Sequence, residues 1–309
     1  MDLAFTIDAP YLPWCAVAIR SCLDHCDDDV TVHLVHEGSL RDDAGLALLA
    51  GMVEGAGGIL KVHAVDPDGL PNVGMGKVVW LRCLLPELLS GAERVVFIDA
   101  DTLATSSLRP LHETDLGGAP LAAVANVVQP SQRDRIRALG IEDYRRYFAA
   151  GMMVLDLERL RAEDATTMLL GLAETRGDEL LWADMDALNL LFQGRWHALH
   201  PRWDAPYTLW TSPEVAADVY GEEAATEARR DPAILHFEGP SLCKPWHALN
   251  THPWRRAWWA TLARTPWAGA RAEDRGAATT ALRFVPERFR IRAYGRLVRW
   301  RREHRTVAS

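Results

Sequence analysis

Arg94-Val95-Val96-Phe97-Ile98-Asp99-Ala100-Asp101-Thr102-Leu103 is the stretch on which the reading of this 309-residue chain turns. Its apolar run of four reads as a buried strand, and the polar break that follows puts acidic side chains at the strand's carboxyl end. Residues two apart on an extended chain face the same way, so Asp99 and Asp101 can converge on one cation while the small Ala100 lets the backbone approach closely. Hard carboxylate oxygens suit Mn²⁺ or Mg²⁺, which complete their shells with phosphate oxygens. An isolated Asp-x-Asp is more often a pair of strand-end or turn aspartates, so the flanking sequence has to decide.

Upstream, short apolar runs alternate with helical patterns. Strands are expected at Leu3–Ile7, Thr31–Val35, Ile59–Val65 and Arg94–Ile98, with helices at Leu12–Leu23, Ala44–Val53 and Val78–Leu89, the last with Pro86 inside it. Strand-helix-strand repetition predicts an α/β fold with a mostly parallel sheet covered on both faces, whose ligands sit beyond the carboxyl ends of the strands. Asp8 follows the first strand as Asp99 follows the fourth, so both carboxylates point into that crevice. The second half is less regular, with strands expected at Leu121–Ala125, Met152–Leu155 and Ile234–Phe237 and helices near Leu157–Thr175 and Asp186–Phe192.

The net charge of −8 conceals an asymmetry. Residues 266–309 hold eleven arginines against four acidic residues, a balance of +7 that leaves −15 on residues 1–265. An acidic body of that size argues against nucleic acid as a partner. The tail groups Phe289, Tyr294, Leu297 and Val298 against Arg292, Arg296 and Arg299, the pattern of a helix lying on an anionic membrane surface; docking on the protein's own acidic body, or disorder, would account for it as well. No apolar run is long enough to span a bilayer and the N-terminus lacks the layout of a signal peptide, which predicts a cytoplasmic protein, peripheral on the inner membrane face if the tail binds lipid. The five cysteines, odd in number and scattered among apolar neighbours, read as reduced thiols.

Seven blocks in order give the chain a resemblance. They are Phe5–Tyr11, Leu81–Leu88, Val96–Asp101, Asp115–Val124, Tyr147–Asp156, Ala183–Asn189, and His236-Phe237-Glu238-Gly239 followed by Lys244-Pro245-Trp246. Over residues 3–250 the sequence resembles the retaining family 8 glycosyltransferases, which include bacterial lipopolysaccharide α-galactosyl- and α-glucosyltransferases and glycogenin. The resemblance implies a single Rossmann-like domain of the A-type nucleotide-sugar transferase kind over residues 1–265, with 266–309 as a helical basic tail.

It also implies roles. Asp99, Asp101 and His236 would bind the metal, Mn²⁺ or Mg²⁺, and Lys244 with the Gly239 backbone would contact the diphosphate of a UDP-sugar. Asp8 and Tyr11 would hold the uracil, by accepting a ring N–H and by stacking respectively, and Ile7, Ala100, Asn126 and Met185 would be further contacts to the donor. Arg82, a buried arginine that needs anionic company, would sit beside the sugar and phosphate. Asp184 would bond sugar hydroxyls, and Asp186 and Asn189 are as readily structural. Met185, Ala149, Asn126 and Pro10 stand where the family carries polar residues, which predicts an altered sugar preference. Met185 cannot act as a nucleophile, so the sequence favours front-face substitution over a covalent intermediate. Trp196, Trp203, Tyr207 and Trp210 are candidates for acceptor stacking or for core plugs. The acceptor could be a saccharide, a lipid-linked glycan, a natural product or a peptide. The alternatives are a non-catalytic nucleotide-sugar binder and a self-glycosylating primer.

Overall fold

The computed structural model describes residues 1–26, 29–38, 40, 43–285, 289–290 and 293–299. Within them lie ten strands: β1 (Asp2–Ile7), β2 (Thr31–His36), β3 (Ile59–Ala64), β4 (Arg94–Ile98), β5 (Thr102–Ala104), β6 (Leu121–Ala125), β7 (Phe148–Asp156), β8 (Trp196–Ala198), β9 (Ala205–Pro206) and β10 (Ile234–His236). Seven form one sheet in the order β3-β2-β1-β4-β7-β6-β8, and the others form a small sheet, β5-β10-β9. The first four pair in parallel, as do β6 and β8, whereas β7 runs antiparallel to both β4 and β6.

Alternation along the strands builds a core on each face of the large sheet. Leu3, Phe5 and Ile7 point to the face covered by the helices Leu12–Leu23 and Asp43–Glu54, while Ala4, Val95 and Phe97 point to the side of Trp80, Leu169 and Leu188. The expected elements of the first half recur within two residues, save one. Val78–Leu89 is a 3-10 segment, Val78–Leu84, followed by a single α turn, Leu85–Leu88, with Pro86 near its start; proline is accepted in a helix's first turn and not in its interior. The long helix expected over Leu157–Thr175 is two, Leu157–Ala162 and Ala165–Arg176, broken where Asp164 takes φ 52°.

The small sheet explains how distant residues meet. β10 pairs antiparallel with β5, His236 opposite Thr102, and the Phe237 amide donates to the Asp101 carbonyl at 2.9 Å. Residues 246–248 bond to Glu273 through Glu273 N to the Trp246 carbonyl (2.8 Å) and Ala248 N to the Glu273 carbonyl (3.0 Å), and Tyr294 bonds His247 at 3.1 Å. Of the tail's arginines Arg296 and Arg299 are exposed, while Arg292 lies outside the described residues. All five cysteines are free thiols. Among the described residues no helix is long and apolar enough to cross a membrane.

Candidate active site

At the carboxyl ends of β1 and β4 the chain leaves the sheet through Asp8 and Asp99. Asp8 caps the turn Ala9–Tyr11, accepting from the Tyr11 amide at 3.2 Å, and burial raises its carboxyl. The Tyr11 ring stands edge-on to Trp246, 5.8 Å away. Ile7 ends β1 with its side chain in the core.

Asp99, Asp101 and His236 come together, with one ligand atom of each within 4.8 Å of the others. His236 Nε2 lies 3.3 Å from Asp101 Oδ1 and 3.9 Å from Asp99 Oδ2. Its other ring nitrogen is held by Asp204 at 2.9 Å, the outer-shell carboxylate that fixes ring orientation at many metal sites. The fourth determinant has no side chain. A Cβ on Gly151 would fall 2.2 Å from His236 Cε1 and 3.2 Å from Asp99 Oδ2, so only glycine lets the strand pass beneath both. The Gly151 carbonyl in turn accepts from the Asp99 amide at 2.7 Å.

These residues fit a hard divalent cation. Two carboxylates and an imidazole with its outer nitrogen already bonded form a mixed oxygen and nitrogen donor set suited to Mn²⁺. The surrounding charge agrees: among the described residues, Asp99, Asp101, Asp184, Asp204 and Glu238 face two permanent cations, Arg82 and Lys244. Burial pushes the Asp99 carboxyl up although Arg82 opposes it. Burial acts on Asp101 as well, but Lys244 and His236 outweigh it and hold that carboxyl well below the usual range. Asp204 and Asp101 likewise overcome burial to raise His236.

Two cations flank the triad. Lys244 bonds Asp101 directly and donates to the Phe237 carbonyl at 3.0 Å. Arg82, 9% exposed, finds the anionic company its burial demands, with Nη2 3.2 Å from Asp99 Oδ1 and Nε 3.0 Å from Asp184 Oδ2. Its Nη1 donates to the Ala150 carbonyl at 2.5 Å, and its guanidinium lies 4.7 Å over the Phe97 ring. The Arg82 Nε bond is directed at the Val79 carbonyl, 3.2 Å away, so the buried Asp184 Oδ2 is close to the guanidinium yet accepts no hydrogen bond. Burial, opposed by Arg82, pushes the Asp184 carboxyl up to about 7.

The remaining residues are placed as follows. Ala100 is buried between the two aspartates, Asn126 follows β6 and bonds the Tyr147 carbonyl through its amide at 2.7 Å, and Met185 follows Asp184 with its side chain partly buried against the core. Gly239 takes φ 91° in the exposed loop leading to Lys244. Trp196 is a core plug, 7% exposed, bonding the Arg146 carbonyl through its indole. Tyr207 and Trp210 pack around His252 with ring centroids 4.6 and 4.7 Å away. Sequence reasoning missed Asp204 and the requirement at Gly151. The first depends on the pairing of β9 with β10, which no local pattern reveals; the second was visible only as a glycine in a strand, a known mark of close approach.

The chain is similar to several known proteins. General stress protein A of Bacillus subtilis is 29% identical over 209 residues, 66% of this chain and 70% of its own length. The lipopolysaccharide 1,2-glucosyltransferase of Escherichia coli K12 is 22% identical over 86% of this chain and 79% of its own. The galactosyltransferase LgtC, solved with donor and acceptor sugar analogues, has the same fold, with a TM-score of 0.75 over 94% of this chain and 99% of its own at 24% identity. Residues 2–250, which contain Asp99, Asp101, His236, Arg82, Asp184 and Lys244, match the model of glycosyl transferase family 8, and the chain is therefore a glycosyltransferase belonging to that family.

Proposed function

We propose that the protein transfers a hexose from a UDP-sugar, UDP-glucose or UDP-galactose, to an acceptor hydroxyl with retention at the anomeric carbon. The observation that carries this reading is the meeting of Asp99, Asp101 and His236 beside Lys244 and Arg82, at the ends of adjacent strands whose other acidic terminus is Asp8. The resemblance of this chain to a glucosyltransferase in sequence and to a galactosyltransferase in fold supports the hexose donor.

In this reading Asp8 and Tyr11 hold the uracil, with Ile7 behind them. Asp99, Asp101 and His236 would hold Mn²⁺, whose contribution when bound is positive charge against the diphosphate. Lys244 exchanges its contact with Asp101 for the departing phosphate, and the Gly239 amide lies on the same loop. Asp184 Oδ2, buried and unbonded, accepts a hydroxyl of the donor sugar, while Arg82 fixes that carboxylate and balances Asp99. Asn126 and Met185 line the sugar. Met185 offers no nucleophile, so the acceptor attacks from the face the leaving group departs, and a phosphate oxygen takes its proton.

Residues 1–265 form the transferase body in this reading and 266–309 its basic tail. In the same reading the tail docks on the body through Tyr294 and His247 and offers Phe284 and Phe289, 87% and 47% exposed, to the inner membrane face. Screening nucleotide sugars for manganese-dependent UDP release without acceptor tests the function. Release from one UDP-hexose is expected; release from none, in protein shown to be folded, contradicts the reading.

A further inference from the structure

We infer that a cleft of about 600 Å³ between residues 72–74 and 173–181 is a second ligand site, one that holds outer sugar residues of an uncharged or amine-bearing saccharide acceptor. The inference rests on the transferase reading above. The cleft falls within the ~300–1,000 Å³ range of small-molecule sites, and nothing in the metal and diphosphate machinery uses it.

Its position ties it to the reaction. Gly74, at φ 64°, is seated so closely on the turn 180–183 that a Cβ there would lie 2.8 Å from Ala183 Cβ and 2.9 Å from the Leu180 carbonyl. Val73 closes the floor against Gly177, whose Cβ would meet it at 3.1 Å. Ala183 itself is fully buried and holds φ 49°, ψ −121°, a strained conformation for alanine that persists only when its surroundings impose it. The next residue is Asp184. The wall of the cleft and the carboxylate facing Arg82 are thus carried by one strained turn.

Its chemistry selects the ligand. Glu174, Asp178 and Glu179 outnumber Arg176, which is already paired with Glu179 at 2.6 Å. A net negative lining repels phosphates and carboxylated glycans, so this is not a second nucleotide site. The carboxylates and the Thr175 oxygen, whose proton goes to the Gly171 carbonyl, offer acceptors to sugar hydroxyls, the Asn72 amide offers a donor and an acceptor, and Leu181, 57% exposed, offers an apolar surface to the C–H face of a ring.

The test titrates the full-length protein with lactose, maltose and glucosamine disaccharide, following backbone amides by NMR, with sulfated lactose as the anionic control. We expect saturable shifts of residues 72–74 and 173–181 with at least one of the three sugars and none with the sulfated one. Replacing Asn72 and Asp178 together by alanine should weaken that binding about tenfold while UDP release from the donor stays within about twofold. Absence of saturable shifts with all three sugars, equal binding of sulfated lactose, or undiminished binding by the double variant would overturn the inference. Saccharide binding by a protein that releases no UDP from any donor would support the cleft and contradict the transferase reading alone.

Discussion

The two faces of the helix Asp184–Leu191 treat buried carboxylates in opposite ways. On the side facing residues 126–147, Asp186 is fully buried and fully bonded: Arg135 meets both its oxygens at 2.9 and 3.2 Å, the Tyr147 hydroxyl donates at 2.6 Å and the Trp182 amide at 2.8 Å. Asn189 extends the same network by bonding both the amide and the carbonyl of Phe148. On the side facing Arg82, Asp184 is as deeply buried but has one oxygen that accepts nothing. A carboxylate with all its lone pairs used holds structure together. One left incomplete inside the protein stores a cost that a ligand hydroxyl can relieve.

The sharpest way to break this contrast is to delete the bonded carboxylate. Asp186→Ala should lower stability by about 3–5 kcal/mol, because Arg135 and the Tyr147 hydroxyl lose their partner in the interior; urea denaturation measures it, and a loss below about 1 kcal/mol would mean the network is ornamental. Asp184→Asn should do the reverse, cutting UDP release about a hundredfold or more while the unfolding free energy at pH 4, where burial keeps the folded carboxyl protonated, shifts by less than about 1 kcal/mol. A variant that unfolds instead would make Asp184 a second structural post.

Asp184 is also set apart by pH. With its carboxyl raised to about 7 by burial against the opposition of Arg82, folded Asp184 keeps a proton that the unfolded chain releases near its ordinary value of about 3.9. That group favours folding fully below the lower value, and its contribution is lost as pH rises through the higher one. Wild-type stability should therefore decline between pH 4 and 7 more steeply than that of Asp184→Asn. Parallel pH profiles of the two proteins would contradict the assignment.

The same contrast shows what a single sequence could reveal. β1 and β4 were legible as apolar runs closed by an aspartate, and β2 and β3 by alternation of polar and apolar residues; the Asp99-Ala100-Asp101 pair was legible by its spacing, although it is a turn between β4 and β5, not an extended segment, that brings the carboxylates together. β5, β8 and β9 escaped, since strands of two or three residues carry no periodicity. The 3-10 course of Val78–Leu84 escaped because its apolar spacing looks helical either way. Asp184 and Asp186 look alike in sequence. Their difference is made by Arg82 and by Arg135 and Tyr147, partners brought in by the 3-10 segment Val78–Leu84 and by the segment between β6 and β7, and only tertiary structure assigns them.

In the proposed function Asp99, Asp101 and His236 bind a divalent cation under the donor's diphosphate. Titrating Mn²⁺ into wild-type protein and Asp101→Asn with UDP present, followed by the loss of the free-ion electron paramagnetic resonance signal, tests it directly. Saturable one-site binding by the wild type, weakened about a hundredfold or more in the variant together with the loss of UDP release, is the predicted result. Equal manganese affinity and near-normal turnover in Asp101→Asn would contradict it.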